Sequence, residues 1–205
     1  MRLKTLRVRH SGTYIVPDVQ SIMYSISIDG YWGNRESARA IGIRRMTIVL
    51  NTLEEGAVSE QIGTLVKDDM EVVNTSGMKI AHCMGCNQCW LKTPGVCAIK
   101  DDYEGIIKRL VGAENLWLVS DTRFGFVDWR GKRVMDRIVP MLNMYIEFRD
   151  GLERHELRYH PLNFGLLYKG EADQEFLEEW SRRVALNLAG KSLGVIKMGE
   201  DKSCM

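Results

Sequence analysis

Five short apolar runs between residues 46 and 196 dominate the hydrophobic pattern of this chain. The first run, 46–51, is rich in β-branched residues, which is typical of a strand buried on both sides of a parallel sheet. Amphipathic stretches separate the runs, and strands that alternate with helices predict a doubly wound α/β fold. The predicted strands are 46–51, 70–74, 116–119, 164–168 and 193–196.

The stretches between the runs place apolar residues at helical spacing. Helices are predicted over 58–67, 131–142 and 172–189. A further helix is predicted to begin after Asp101 and Asp102, which can cap it. The stretch 145–161 is polar and mixed, and its pattern assigns no element. The inward stripes of the last three helices are Ile106, Ile107, Leu110 and Val111; Val134, Ile138, Met141 and Leu142; and Phe176, Trp180 and Val184.

Residues 1–45 do not fit this alternation. Residues 21–28 alternate like a strand and 30–34 form a predicted turn, but no partner element follows. A stretch of this length without elements of its own is unusual in a compact domain. Two interpretations stay open: translation starts at Met46, or the segment adds an extra strand or an arm exchanged in a dimer. The predicted organisation is an N-terminal extension, 1–45, followed by an α/β domain, 46–205.

Composition and charge narrow the class of protein. Hydrophobic residues make up 45% and charged residues 27% of the chain, as in ordinary globular proteins, and the net charge is +1. No apolar run has bilayer length, and the N-terminus lacks the features of a secretion signal. Four of the five cysteines fall within fifteen residues, unlike a secreted disulfide framework. We therefore expect a cytoplasmic protein with no nucleic-acid or membrane partner.

The cysteine cluster is the most specific feature of the sequence. Cys83, Cys86, Cys89 and Cys97 are separated by two, two and seven residues. Thiolates are soft ligands, so a tight loop of this kind can hold an iron–sulfur cluster. Zinc is less natural on a single loop, and free or redox-active thiols are the alternative. Beside the cysteines, Trp90 is expected to fill the core or a dimer interface, and His82 is expected to have no role.

This cysteine loop resembles that of the flavodoxin-like NADPH-dependent FMN reductases and their iron–sulfur flavoprotein relatives. A strand, the stretch Ser-Asp-Thr-Arg-Phe-Gly at 120–125 and Met135-Asp136-Arg137 follow it, and the resemblance covers about residues 46–197. It implies a flavodoxin-like five-stranded parallel sheet in the order 2-1-3-4-5, with helices on both faces. It also implies FMN as cofactor, NAD(P)H as reductant and a homodimer or homotetramer. For Asp136 and Arg137 it implies a helix-packing salt bridge, and for the four cysteines a possible [4Fe–4S] site.

The FMN phosphate is expected in the loop after the first strand, where backbone N–H groups and hydroxyls meet the anion. Here that loop is 51–59, in which Thr52 and Ser59 offer hydroxyls and Gly56 allows close approach. Glu54 and Glu55 oppose this assignment because they repel a phosphate dianion. An upstream stretch, 29–37, is the alternative phosphate loop if 21–28 is the first strand.

The flavin ring is expected beside the loop after the third strand. Phe124 or Phe126 can stack on the ring, and a nearby arginine can stabilise the reduced anionic flavin. The competing interpretation is a polar loop with core aromatics. Charged residues in 145–159 either line a substrate or partner cleft or form a solvated loop. The contact residues predicted here are Ser120, Asp121, Thr122, Arg123, Phe124 and Gly125.

The resemblance thus implies an enzyme, an FMN-dependent NAD(P)H oxidoreductase. Its partner is a small-molecule electron acceptor: a quinone, a flavin, an azo compound or a metal. The flavin carries the chemistry, so no catalytic side chain is identified. Three alternatives stay open: a flavodoxin-like domain without FMN that acts as a binding or regulatory module, an iron–sulfur flavoprotein that carries single electrons, and a zinc- or thiol-based redox sensor.

Overall fold

The computed structural model describes residues 6–7, 13–14, 46–54, 69–149 and 151–199. The chain divides into two units, residues 1–43 and 44–205. In the first unit, strands β1 (Leu6–Arg7) and β2 (Thr13–Tyr14) pair antiparallel. The predicted elements 21–28, 29–37 and 58–67 lie outside the described residues, and the boundary at Met46 stays a prediction.

Five parallel strands form the central sheet of the second unit. Along the sheet the order is β4, β3, β5, β9, β10, which is the predicted order 2-1-3-4-5. The flavodoxin-like α/β fold is therefore confirmed. These strands are β3 (Thr47–Asn51), β4 (Met70–Asn74), β5 (Asn115–Arg123), β9 (Leu162–Lys169) and β10 (Ala189–Lys197).

Alternate residues of the central strands supply two separate apolar clusters, one on each face of the sheet. Ile48 and Leu50 of β3 belong to the larger cluster, which includes residues of the three longer helices, and Val49 belongs to the smaller one. Burial on both faces explains the unbroken apolar runs of the sequence. The described helices are α1 (Gln88–Leu91), α2 (Tyr103–Leu110), α3 (Trp129–Asp136) and α4 (Gln174–Asn187), and none of them is long and apolar enough to cross a membrane.

Strands β6, β7 and β8 were not predicted from the sequence. Strand β6 (Phe126–Val127) pairs antiparallel with the end of β5. Strands β7 (Leu142–Arg149) and β8 (Leu152–Leu157) form an antiparallel ribbon of their own. This ribbon occupies most of the polar stretch to which the hydrophobic pattern assigned no element.

The predicted helix over 131–142 is wrong in its second half. Helix α3 ends at Asp136, and a 3-10 turn, Val139–Met141, leads directly into β7. Pro140 is the reason, because a proline inside a helix has no N–H to donate and clashes with the carbonyl four residues earlier, here that of Asp136.

The predicted inward stripe of α4 is also displaced. Leu177, Ser181 and Ala185 are buried, whereas Phe176 is 52% exposed. Two of the buried residues are small, which lets the helix lie close to the sheet. Trp180 sits at the border of the buried face, where its ring meets that of Phe164 edge-on at 5.6 Å.

A buried ion pair joins α2 to the end of α3. The guanidinium of Arg137, which is 1% exposed, donates to both carboxylate oxygens of Asp101 at 2.8 and 2.9 Å. Arg137 also donates to the carbonyl of Ala81, and Asp101 accepts from the N–H of Ala81. Burial disfavours the charged carboxylate, but the bonds from Arg137 and Ala81 outweigh it and hold the pKa of Asp101 below its ordinary value.

The predicted pairing of Asp136 with Arg137 is therefore wrong. Asp136 instead pairs with Lys132, one helical turn away on the exposed side of α3. Adjacent residues on a helix point in different directions, so they rarely face each other. The predicted capping by Asp101 and Asp102 is correct only in part. Asp101 accepts from the N–H of Tyr103, whereas Asp102 accepts from the N–H of Lys79.

We predict that Asp101→Asn lowers the free energy of unfolding by about 3–5 kcal/mol, because it leaves the Arg137 charge buried without a counterion. Asp136→Asn is the matched control and should cost less than about 1 kcal/mol, since its ion pair is exposed. Urea unfolding at pH 7 measures both. The folded pKa of Asp101 is lowered, so its contribution is complete above the unfolded value of about 3.9 and is lost as the pH falls through the folded pKa. Equal losses in the two variants would contradict the assignment.

Candidate functional site

Hydrogen bonds tie the carboxyl ends of β4, β3 and β5 together. The side chain of Asn51 donates to that of Asn74 at 2.8 Å, and the N–H of Thr75 donates to the Asn51 carbonyl at 2.9 Å. Both the N–H and the hydroxyl of Thr52 donate to the carbonyl of Val119 at 2.9 Å. This edge of the sheet is thus fixed by its own polar groups, and in this arrangement the hydroxyl proton of Thr52 is already engaged.

The rest of the predicted phosphate loop is described only at its start. Glu54 is exposed, which leaves room for its carboxylate to point into solvent. Gly56 and Ser59 lie outside the described residues, as does Glu55. Their assignment to the phosphate therefore stays a prediction.

A tight hairpin follows β5 at the same edge. Arg123 pairs with Phe126, which leaves Phe124 and Gly125 as a two-residue turn with φ values of 56° and 79°. Two positive φ values define a type I′ turn, a conformation that favours Asn and Gly and that phenylalanine rarely adopts. The Phe124 ring is 94% exposed, and the Arg123 guanidinium lies 5.4 Å from its centroid. The hairpin tip therefore presents an aromatic ring and a cation together.

The base of this hairpin is held on two sides. The hydroxyl of Thr122 lies 2.9 Å from the carbonyls of Lys169 and of Glu171, at the end of β9 and just beyond it. The N–H of Asp128 donates to the carbonyl of Asp121 at 2.9 Å. Only the tip projects, so its two side chains are presented from a fixed base.

The other predicted ring, Phe126, is partly buried and packs against the core. Its ring meets that of Trp180 edge-on at 5.1 Å and lies 5.5 Å from that of Phe176. Of the two phenylalanines predicted to stack on a flavin, Phe124 is thus the one whose ring is available to a ligand.

Ser120 is completely buried under the start of α3. Its hydroxyl donates to the carbonyl of Asp121 at 2.8 Å and lies 3.3 Å from the Asp128 carboxylate. Asp128 caps α3 by accepting from the N–H groups of Arg130 and Gly131. A Cβ on Gly131 would lie 2.3 Å from the Ser120 hydroxyl, so glycine is required for this approach. Asp128 was missed in the sequence, although an Asp directly before a helix is a common capping signal.

The cysteine loop is fastened at both ends and between them. Lys79 and Ala81 bond to the carboxylates of Asp102 and Asp101, and the N–H of Gly95 donates to the carbonyl of Cys89 at 2.9 Å. Cys83 and Cys86 are exposed, Cys89 is buried and Cys97 is half-buried. Trp90 donates to the carbonyl of Val139 at 3.0 Å and packs on the ring of His155, so it serves as packing, as expected.

The four thiols do not fit a bound metal in this arrangement. Within the described ranges, no three side chains of histidine, cysteine, aspartate or glutamate lie close enough together to hold a metal ion. Burial, the neighbouring Cys97 and, to a smaller extent, Cys83 and Cys86 raise the pKa of the Cys89 thiol. The other three thiols are thus near enough to Cys89 to disfavour its ionisation, but the four do not converge on one point.

An aromatic ring with two guanidinium groups near it lies beside this loop. The centroid of Trp129 is 5.1 Å from the guanidinium of Arg130 and 4.9 Å from that of Arg133, and the His82 ring is 6.4 Å away. Trp129 was not predicted from the sequence, although residues four apart on a helix are neighbours and Arg133 is four residues further on.

A cavity of about 310 Å³ opens between the cysteine loop and α2. Its walls are mainly apolar, and the half-buried Cys97 reaches it. The other lining residues are Gly95, Val96, Tyr103, Glu104, Ile107, Lys108, Val111 and Tyr159.

Comparison with known proteins adds to this geometry. The chain is 31% identical over 86 residues to an iron–sulfur flavoprotein of Methanocaldococcus jannaschii. The chain resembles the flavodoxin-like flavoproteins. The predicted resemblance is thus confirmed, although the match covers 41% of this chain and only 44% of the relative's length. No family model matches the chain.

Among solved structures, RosB with the bound intermediate OHC-RP (8-demethyl-8-formylriboflavin-5′-phosphate) is similar, with a TM-score of 0.49 and 9% sequence identity. The superposition covers 76% of this chain and 67% of that chain.

The burial of the thiols predicts their order of reaction. At pH 7, iodoacetamide should label Cys83 and Cys86 at least about tenfold faster than Cys89, because the exposed thiolate is the reactive species and the pKa of Cys89 is raised. Raising the pH should reduce the difference in labelling rate, because a larger fraction of Cys89 is then ionised. Time-resolved mass spectrometry of the peptides measures the order. If all four thiols are protected from labelling and a chelator removes that protection, the thiols hold a metal ion, which would contradict their separate positions in this structure.

Proposed function

We propose that this chain binds FMN and works as an NAD(P)H-dependent oxidoreductase that passes electrons to a small-molecule acceptor. The observation that carries the proposal is the hairpin tip after β5, where the exposed Phe124 ring and the Arg123 guanidinium stand at the carboxyl edge of a doubly wound sheet. Ligands of such sheets bind at this edge.

The two side chains at the tip match the chemistry of a flavin. A planar ring can stack on an exposed phenylalanine, and a guanidinium beside it stabilises the negative charge of the reduced ring. Bound flavin would supply the redox chemistry, accepting a hydride and releasing electrons. Phe124 and Arg123 would hold and polarise the ring, while Thr52 and Ser120 would keep the strand ends behind it in place.

The sequence relative supports the same class of cofactor. It is an iron–sulfur flavoprotein, so flavin is a property of a protein that this chain resembles over 86 residues. The exposed tip is consistent with an acceptor that reaches the flavin from solvent, and we propose a quinone, a free flavin, an azo compound or a metal. A cytoplasmic location belongs to this proposal as well.

Two observations favour a second candidate, a flavodoxin-like binding module without FMN. The hydroxyls of Thr52 and Ser120 are both engaged inside the protein, and Glu54 adds negative charge at the start of the phosphate loop. Such a module would keep the fold and lose the affinity for FMN.

An absorption spectrum of the protein purified without oxygen separates these functions. The two visible bands of bound flavin, bleached by NADH or NADPH and restored by a quinone, are expected for the oxidoreductase. A colourless protein that takes up no added FMN would sink the proposal and favour the binding module. Broad absorption that iron chelation removes would indicate the one-electron iron–sulfur carrier.

We predict that Phe124→Asn separates binding from stability. The Kd for FMN should rise about tenfold, because stacking of a base on an aromatic side chain contributes about 1–3 kcal/mol. The free energy of unfolding should stay equal or rise by up to about 1 kcal/mol, since asparagine suits the positive φ of this turn. Flavin fluorescence titration and urea unfolding measure the two effects.

Val72→Asn is the control for this experiment. Val72 is also an exposed apolar residue, but it lies on the edge strand β4, away from the hairpin tip. The Kd of the Val72→Asn variant for FMN should equal that of the wild type. If Phe124→Asn also leaves the Kd unchanged, the hairpin tip does not contact the flavin.

A further inference from the structure

The start of α3 concentrates positive charge at the carboxyl edge of the sheet. The helix begins at Trp129, directly after the base of the hairpin, where the N–H of Asp128 donates to the carbonyl of Asp121. Trp129 follows Phe124 by five positions, so the Cα atoms of these two residues are at most about 18 Å apart. A ligand held here is therefore in the neighbourhood of the hairpin tip. The cations at the start of α3 are Arg130, Lys132 and Arg133.

Two of these three cations are neutralised by neighbouring carboxylates. The guanidinium of Arg130 lies 3.3 Å from the carboxylate of Asp128, and the ammonium of Lys132 pairs with Asp136. Arg133 forms no ion pair or hydrogen bond with any residue that the structure describes, and its Nε is buried without a partner. A guanidinium without a counterion can receive an external anion, because it donates two parallel hydrogen bonds to a carboxylate, sulfonate or phosphate.

Trp129 places an aromatic surface beside this unpaired charge. Its ring centroid lies 4.9 Å from the guanidinium of Arg133 and 5.1 Å from that of Arg130, distances at which a ring attracts a cation and orients it. Trp129 is nevertheless 53% exposed, so part of its apolar surface is open to a ligand. The patch thus offers a planar apolar surface and a positive charge next to each other.

The beginning of the cysteine loop borders this patch. The ring centroid of His82 is 6.4 Å from that of Trp129. The preceding residue is held on both sides, because the N–H of Ala81 donates to Asp101 at 2.9 Å and its carbonyl accepts from Arg137 at 2.8 Å. The backbone next to His82 is therefore fixed, and the patch has a defined border on this side.

We propose that Trp129 and Arg133 bind an aromatic anion, with the ring of the ligand on Trp129 and its anionic group on the guanidinium of Arg133. The binding itself does not require a flavin. Together with the proposed function, on which this assignment rests, the ligand is the electron acceptor, a planar ring that carries a carboxylate, sulfonate or phosphate. A neutral acceptor gains no ion pair from Arg133, and a metal cation is repelled by it.

A matched pair of ring compounds tests the site. Naphthalene-2-sulfonate carries the anion, and naphthalene-2-sulfonamide has the same ring without the charge. Isothermal titration calorimetry of the full chain should give a Kd at least about tenfold lower for the sulfonate, because a hydrogen bond between two charged groups is stronger than one to a neutral group. Arg133→Gln should abolish this difference. Arg133→Lys should retain part of it, since it keeps the charge and loses the planar fork.

Lys132→Gln is the matched control for Arg133→Gln. It changes the net charge by the same amount on the same helix, but the ammonium of Lys132 is already paired with Asp136. This variant should keep the wild-type Kd for the sulfonate. Equal affinity of the wild type for the sulfonate and the sulfonamide would overturn the proposal, as would equal weakening by Lys132→Gln and Arg133→Gln.

A second pair of compounds tests the assignment of the ligand as electron acceptor. These are 4-(phenylazo)benzenesulfonate and its neutral sulfonamide. In their reduction the hydride of NAD(P)H and one proton from water convert the N=N double bond into a single bond with an N–H at each nitrogen. With flavin bound, the KM should be at least about tenfold lower for the sulfonate, and Arg133→Gln should raise that KM and leave kcat unchanged, because the ion pair is made equally in the ground state and the transition state.

The two measurements separate a failure of this inference from a failure of the proposed function. Reduction of both azo compounds with equal KM would keep the proposed function and overturn the assignment of an anionic acceptor. A protein that takes up no flavin would sink the proposed function and the acceptor assignment with it. In that case the calorimetric difference between the naphthalene compounds would still establish the anion site, and its absence would overturn that site as well.

Discussion

The buried ion pair between Asp101 and Arg137 organises the region on which the candidate site depends. Removing two charges from water is costly, and here the cost is offset because Arg137 donates to both carboxylate oxygens and Ala81 bonds to both partners. Tyr103, whose ring lies 5.0 Å from the guanidinium, donates to the carbonyl of Val134 in α3. One interaction thus fixes the cysteine loop, the start of α2 and the end of α3 relative to one another.

The carboxyl edge of the sheet is rigid because its polar groups bond to each other. Thr52 and Ser120 use their hydroxyls to join strands and to receive α3, so the groups left for a ligand are those that project beyond the edge. Phe124 projects furthest, on a backbone conformation that phenylalanine seldom adopts. Strain of this kind is typical of functional positions, where presentation of a side chain outweighs local stability.

The ribbon of β7 and β8 occupies most of the stretch 145–161, to which the hydrophobic pattern assigned no element. Strand β7 begins at Leu142, a residue that the predicted helix over 131–142 had absorbed. Pro140 was the signal that should have ended the helix earlier.

The sequence by itself determined the five strands of the central sheet and the place of the cysteine loop between them, because a strand buried on both faces has a continuous apolar run. The order of those strands was implied by the resemblance to a known family. Only the tertiary structure decided the partners of the polar groups. Arg137 bonds to Asp101, 36 residues away, rather than to its neighbour Asp136. The tertiary structure also decided between Phe124 and Phe126, because the sequence pattern does not show which of the two rings is exposed. One ring is exposed and the other packs on Trp180, because the turn between β5 and β6 points them in different directions.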